Sequence, residues 1–223
     1  MKIAREVAKT KPIVALKAGR TEKGKRAVAS HTGAMAGSYE VYEAAFKQSG
    51  IIEANDLEEL MDFTKALAAQ PAMKGNKIAI VTNGGGFGII ACDQAEAEGL
   101  ELAELSKDTL KKIKEILPAH AVAGNPADLT GDADSERYKQ VLDAVFKDPA
   151  VQGVCVICLM QLAPLDERIV EVLEECKMYA KPFTLCIGGS AYSIEMAKRL
   201  QRNGIPVYPT PHRAVKALRV LYE

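Results

Sequence analysis

Three segments of this chain combine residue types that can hold or carry an anion. The first runs Lys17-Ala18-Gly19-Arg20-Thr21-Glu22-Lys23-Gly24-Lys25-Arg26 and continues through Ala29-Ser30-His31-Thr32-Gly33-Ala34-Met35-Ala36-Gly37-Ser38. Its first ten positions hold five basic residues and one acid, in a protein whose 29 basic and 29 acidic residues otherwise cancel. A local positive field beside a glycine-bearing turn suits phosphate or another oxyanion. His31 is flanked by small residues that leave its ring accessible, and a neutral imidazole nitrogen is a competent nucleophile toward an activated phosphoryl group. The same residues equally suit a solvated histidine beside a basic face, and the local sequence does not choose between the two.

The second segment is Thr82-Asn83-Gly84-Gly85-Gly86-Phe87-Gly88, between a predicted strand and a predicted helix. Successive glycines let the N–H groups at a helix start point outward, where the positive end of the helix dipole joins them in an anion site. The segment lacks the Gly-Lys-Ser/Thr ending of a Walker A loop, and Ile89 stands where a GxGxxG pattern needs its last glycine. A plain tight turn is the alternative. The third segment is Gly124-Asn125-Pro126-Ala127-Asp128-Leu129-Thr130-Gly131-Asp132, where Asp128 suits an Asx-turn or a contact to a donor on a ligand. Gly188-Gly189-Ser190 ends another predicted strand and is placed to line the same cleft. His120 and His212 show no partner pattern, no metal-ligand spacing is evident, and there is no GxSxG elbow. Cys155 and Cys158 form a CxxC inside an apolar run; three apart on a strand they face opposite sides, which predicts core thiols.

The elements that must position these segments alternate between short apolar runs and helical stretches, as in parallel α/β proteins. A strand is predicted at 13–16, a long polar loop over 17–37, and a helix capped by Ser38 with Val41, Ala45 and Phe46 on one face. A short strand at 51–52 and an Asp56-capped helix follow, so residues 1–69 supply two strands and about three helices. Residues 70–76 read as a linker. Beyond it, strands at 78–81, 100–102, 154–159, 183–187 and 205–208 alternate with helices near 87–98, 107–117, 135–147, 166–178, 193–202 and after Thr210. The clearest amphipathic helix is capped by Asp134 and carries Tyr138, Val141, Leu142, Val145 and Phe146. Five alternating strands predict a flavodoxin-like, doubly wound parallel sheet over 71–223. Residues 1–70 predict a partial α/β domain of the same type, because a parallel sheet needs both faces covered.

At 223 residues, with 48% apolar and 26% charged residues, the composition is that of an ordinary globular protein. Zero net charge draws it to neither nucleic acid nor acidic lipid, and no apolar run spans a bilayer. No signal peptide is evident at the N-terminus, and five cysteines fit reducing conditions, so a cytoplasmic protein is expected.

Taken together, the segments resemble the α subunit, or α-like portion, of ADP-forming acyl-CoA synthetases such as acetate–CoA ligase, within the succinyl-CoA synthetase superfamily. Residues 11–20 and 29–38 carry the resemblance, with SHTGAxAGS its most specific part; 81–88, 125–129 and 204–208 support it in the expected order along nearly the whole chain. The resemblance implies that His31 is the phosphorylated histidine. It would attack an acyl phosphate formed from acyl-CoA and inorganic phosphate, then pass the phosphoryl group toward ADP. Ser30, Thr32, Gly33, Asn83, Gly84, Gly85 and Gly86 become candidate phosphate contacts. A histidine loop on one domain and an anion site on the other would let the loop swing between two sites.

The family's CoA-binding Rossmann domain, the first strands of the histidine-bearing domain and the glutamate that orients the histidine are expected to precede residue 1. The ATP-grasp module is expected on a partner subunit or domain, in a hetero- or homo-oligomer. CoA, ATP or ADP, and Mg2+ are thus implied for the whole enzyme, with none expected to bind tightly to this chain alone. The alternative is a non-catalytic regulatory or interaction module that keeps the fold. A flavin-binding or signalling flavodoxin-like domain is a third reading, set against a chain with no Trp.

Overall fold

The computed structural model describes residues 1–32, 37–162 and 164–222, in two compact units, Met1–Thr64 and Lys65–Glu223. The first unit contains α1 (Lys2–Ala8), β1 (Ile13–Leu16), α2 (Glu22–Thr32), α3 (Tyr39–Ser49), β2 (Ile51–Ala54) and the start of α4 (Leu57–Ala69). β1 and β2 pair in parallel, from Ile13 opposite Ile51 to Leu16 opposite Ala54. Arg20 locks the loops at their carboxyl ends together: its guanidinium donates to Asn55 Oδ1 at 2.9 Å, Glu53 Oε1 at 2.9 Å and the Ala54 carbonyl at 2.8 Å.

Four expectations change in this unit. Most of the predicted 17–37 loop is helix α2, so His31 sits in a last helical turn rather than a loop. Glu22, Lys25, Arg26, Ala27 and Ala29 are good helix formers. Thr21 Oγ1 accepts from Gly24 N at 3.1 Å, and Lys25 pairs with Glu22 one turn away at 2.7 Å. None of its described side chains is fully buried, so it shows no apolar stripe by which a sequence pattern could find it. With α1 added, the described residues of 1–69 hold four helices rather than three. In α3 the inward face is Tyr42, Ala45, Phe46 and Ser49, while Val41 is 66% exposed. Ser38 precedes that helix as expected, but its hydroxyl donates to the Glu40 carboxylate instead of capping the backbone.

The second unit is built on one parallel sheet of β3 (Lys77–Thr82), β4 (Glu101–Leu102), β5 (Ala127–Asp128), β6 (Gly153–Ile157), β7 (Phe183–Cys186) and β8 (Val207–Tyr208). Its order is β4-β3-β6-β7-β8, which with β5 set aside is the second-first-third-fourth-fifth order of flavodoxin-like folds. Strand β5 was not expected. It lies end to end with β4 along one edge of β3, and Asn125 fills the gap between them. The Asn125 side chain accepts from Ile80 N at 2.9 Å and donates to the carbonyls of Ile78 at 2.9 Å and Ala103 at 3.1 Å. A side-chain amide thus supplies the ladder bonds that a missing strand residue would have made.

The helices of this unit are α5 (Gly85–Ala97), α6 (Lys107–Ile116), α7 (Ser135–Lys147), α8 (Ile169–Glu175), α9 (Ala191–Arg202) and α10 (Pro211–Arg219). Ser106, Asp134 and Thr210 cap their helices as the sequence predicts. Ser190 also caps, which starts α9 two residues earlier than expected. The helix expected over 166–178 is instead the shorter α8 and a 3-10 turn, Cys176–Tyr179, ended by Ala180 at φ 52°. Tyr138, Val141, Leu142, Val145 and Phe146 of α7 are all buried, and each such side chain contributes about 1.5–3 kcal/mol. The Tyr138 hydroxyl donates to the Ile157 carbonyl at 2.6 Å, so its burial leaves no polar atom unpaired. Cys155 and Cys158 are fully buried free thiols, each pushed up to about 12 by burial.

Candidate functional site

His31 is exposed at the carboxyl end of α2. Ser30 beside it donates its hydroxyl to the Ala27 carbonyl at 2.9 Å, a bond within the helix. The Thr32 side chain and Gly33 lie outside the described residues, as do positions 34–36 of the motif. The basic cluster is less open than its composition implies. Arg20 is committed to Glu53, Lys25 to Glu22, and Lys17 lies over the Tyr42 ring, 4.8 Å from its centroid. Lys23 and Arg26 remain exposed on the helix that bears His31.

The glycine segment lies in the second unit, where β3 ends and α5 begins. This is the switch point of the sheet, with β4 on one side of β3 and β6 on the other. Gly84 is the N-cap; its N–H donates to Thr82 Oγ1 at 3.0 Å and its carbonyl accepts from Phe87 N and Gly88 N. The amides of Gly85 and Gly86 open the helix and have no intrahelical acceptor, which leaves two N–H groups at the positive end of a 13-residue helix. Each glycine has its own reason. A Cβ on Gly84 would collide with Leu159 Cδ1, one on Gly85 would lie 2.7 Å from Asp128 Oδ2, and one on Gly86 would meet nothing within 4 Å.

Asn83 opens the turn, directly after β3. It is buried, its Oδ1 accepts from Leu159 N at 2.8 Å and its Nδ2 donates to the Leu159 carbonyl at 3.3 Å. This paired amide pins the segment after β6 to the glycine turn. Asp128 ends β5 on the other side of the turn; its Oδ1 accepts from Thr130 N at 2.9 Å in an Asx-turn, and its Oδ2 faces Gly85. Gly189, past the end of β7, lies beside the segment that follows β6: a Cβ there would lie 3.5 Å from Gln161 Oε1.

Arg137 went unread in the sequence. From the first turn of α7 it donates to the Leu129 carbonyl at 2.9 Å, Thr130 Oγ1 at 3.2 Å and Asp132 Oδ1 at 2.9 Å. That grip holds Thr130 at φ 67°, a left-handed conformation that a β-branched residue rarely adopts. The Arg137 guanidinium and the Thr130 hydroxyl together hold the Asp132 carboxyl well below the ordinary aspartate range. The available signal was Asp132 and Asp134 preceding Arg137 at a helix start. Among the described residues no group of three or more His, Cys, Asp or Glu side chains is placed to hold a metal ion, and no helix is long and apolar enough to cross a membrane.

Comparison with known families follows the same division of the chain. A model described as the succinyl-CoA ligase like flavodoxin domain matches residues 1–67, and one described as the Ligase-CoA domain matches residues 78–222. The chain belongs to the Ligase-CoA family.

The chain is similar to the alpha subunit of acetate–CoA ligase [ADP-forming] I from Pyrococcus furiosus, 42% identical over all of this chain and 49% of that protein's length. Acetate–CoA ligase [ADP-forming] from Methanocaldococcus jannaschii is 45% identical over all of this chain and 32% of its own length. Among solved structures, the acetyl-coenzyme A synthetase 1 of Ca. Korarchaeum cryptofilum in complex with phosphate and ADP matches with a TM-score of 0.92 at 37% identity, over 99% of this chain and 48% of that one. This Ligase-CoA chain thus spans half or less of the length of the relatives it matches.

Proposed function

We infer that this chain is the phosphoryl-carrying part of an ADP-forming acyl-CoA synthetase, with His31 as the carrier. An imidazole nitrogen of His31 attacks the phosphorus of an acyl phosphate; the bond from phosphorus to the acyl oxygen breaks, and a carboxylic acid leaves. The phosphoryl group then passes from His31 to the terminal oxygen of ADP. Ser30, Thr32 and Gly33, next to the carrier in sequence, are candidate phosphate contacts. The Gly84, Gly85 and Gly86 turn, braced by Asn83, offers a backbone cradle for phosphate. CoA, ADP and Mg2+ belong to the whole enzyme, whose CoA-binding and ATP-grasp modules act as partners of this chain.

The observation that supports this reading is an exposed histidine in a Ser-His-Thr-Gly-Ala segment, in a chain similar over its whole length to ADP-forming acetate–CoA ligases. A regulatory module would need no nucleophile there. The test is incubation with radiolabelled ATP, Mg2+ and the ATP-grasp partner. The expected product is a phosphoprotein whose label is lost in acid, kept in base and absent from His31→Ala. Equal labelling of the variant would overturn the assignment.

A further inference from the structure

The stretch that carries His31 leaves β1 and comes back as α3, and its two ends meet on one side chain. Arg20 stands just before α2, and Tyr39 opens α3 beyond the histidine motif. Both donate to the same oxygen: Glu53 Oε1 accepts from Arg20 Nη2 at 2.9 Å and from the Tyr39 hydroxyl at 2.9 Å. The Arg20 guanidinium also lies over the Tyr39 ring, 5.0 Å from its centroid. The chain topology makes this meeting possible. Helix α3 runs back through Gly50 to the start of β2, so its first turn lies at the carboxyl ends of the strands. Glu53, paired with Ala15 and one residue short of the end of β2, reaches both ends of the stretch from there.

The side chains of Glu53 and Arg20 are only 18% and 26% exposed, so solvent screens this pair less than a surface ion pair. The two ends are held unequally. Arg20 has further bonds to Asn55 Oδ1 and the Ala54 carbonyl. Among the described residues the Tyr39 hydroxyl is bonded to Glu53 alone. Losing that bond opens a closed loop at one end and spreads the positions its contents can take. In-line transfer to an imidazole requires reacting atoms about 3–3.5 Å apart and aligned, so such spreading falls on the rate of transfer.

We propose that Glu53 is a positioning residue, which through Arg20 and Tyr39 fixes both ends of the histidine stretch and sets where His31 meets its phosphoryl donor. This rests on the reading of His31 as the phosphoryl carrier.

Single-turnover labelling of the chain, assembled with its CoA-binding and ATP-grasp modules, by radiolabelled ATP and Mg2+ tests this. Tyr39→Phe keeps the ring beside Arg20 and loses only the hydroxyl. Its rate constant for labelling His31 should fall about tenfold, with the labelled fraction and the half-saturating ATP concentration unchanged. Glu53→Ala should fall at least as far. Glu53→Gln, whose amide oxygen still accepts from both donors, should stay within about threefold of the wild type. A merely structural role would lower the labelled fraction and leave the rate constant alone, so that result in Tyr39→Phe would overturn the proposal. An unchanged rate constant in Tyr39→Phe, or Glu53→Gln as slow as Glu53→Ala, would also overturn it and leave the carrier reading standing. A wild type that takes no label on His31 would overturn the carrier reading, and the proposal with it. If Glu53→Ala fails to fold, Tyr39→Phe decides.

Discussion

At the scale of single residues, the glycine turn shows how neighbouring glycines serve unlike purposes. Gly84 exists because Leu159 occupies the space a side chain would need, Gly85 because Asp128 does, and Gly86 because its face is left open. Gly84→Ala should therefore force Leu159 to repack and destabilise the protein by about 1–3 kcal/mol, the usual range for overpacking. Gly86→Ala places a better helix former in the first turn without a clash and should be neutral or stabilising by up to about 1 kcal/mol. Urea unfolding of both variants checks the contrast; equal effects would show that the Leu159 contact does not define the turn. Asn83 carries the same lesson from the other side. Its position after a strand invites a ligand-binding role, yet both ends of its amide are spent on Leu159.

At the scale of elements, what holds a loop in place is often one carboxylate with several donors. Asp148, just past the end of α7, is 1% exposed and accepts from Ser106 N at 2.8 Å and Ala150 N at 2.9 Å. Burial pushes its carboxyl up, but these N–H groups and the Ser106 and Thr109 hydroxyls outweigh that and hold it below the ordinary aspartate value. A carboxyl whose folded pKa is depressed stabilises the fold above its unfolded pKa of about 3.9, and that contribution is lost as pH falls through the lower folded value. Asp148→Asn should thus be less stable at pH 7 by about 1–2 kcal/mol and should lose less additional stability than the wild type below about pH 4. Thermal unfolding from pH 2 to 7 reads both effects, and parallel curves would refute the assignment. Elements with an apolar face and a capping residue, such as α6 and α7, were legible in the sequence. Helix α2 was not, because it is held by helix formers, a Thr21 cap and an ion pair rather than by burial. Strand β5 is two residues long and is defined by its pairing with the distant β3, so no local pattern announces it. In the candidate site, Gly84–Gly86 and Asp128 could be read from the glycine run and the Asx-turn, whereas Arg137 acts through tertiary contacts that periodicity does not record.

At the scale of the whole molecule, the cysteines divide by depth. Cys155, Cys158, Cys176 and Cys186 are buried, and Cys92 is partly exposed. Burial pushes the thiols of Cys155, Cys158 and Cys176 up to about 12 and raises that of Cys92 more modestly. A thiol-specific disulfide reagent at pH 8 should react with no more than one of the five thiols in the native protein and with all five after unfolding in guanidinium. Rapid native reaction of two or more would show that the CxxC pair is reachable. The short strands at the margins of the second unit have a further consequence. β4, β5 and β8, which flank the sheet, each run for two residues, while the longer β3 and β6 lie side by side within it. An intruding strand from another chain would find almost no continuous row of unpaired amides to copy, so this sheet is guarded against edge-to-edge aggregation by the brevity of its own borders.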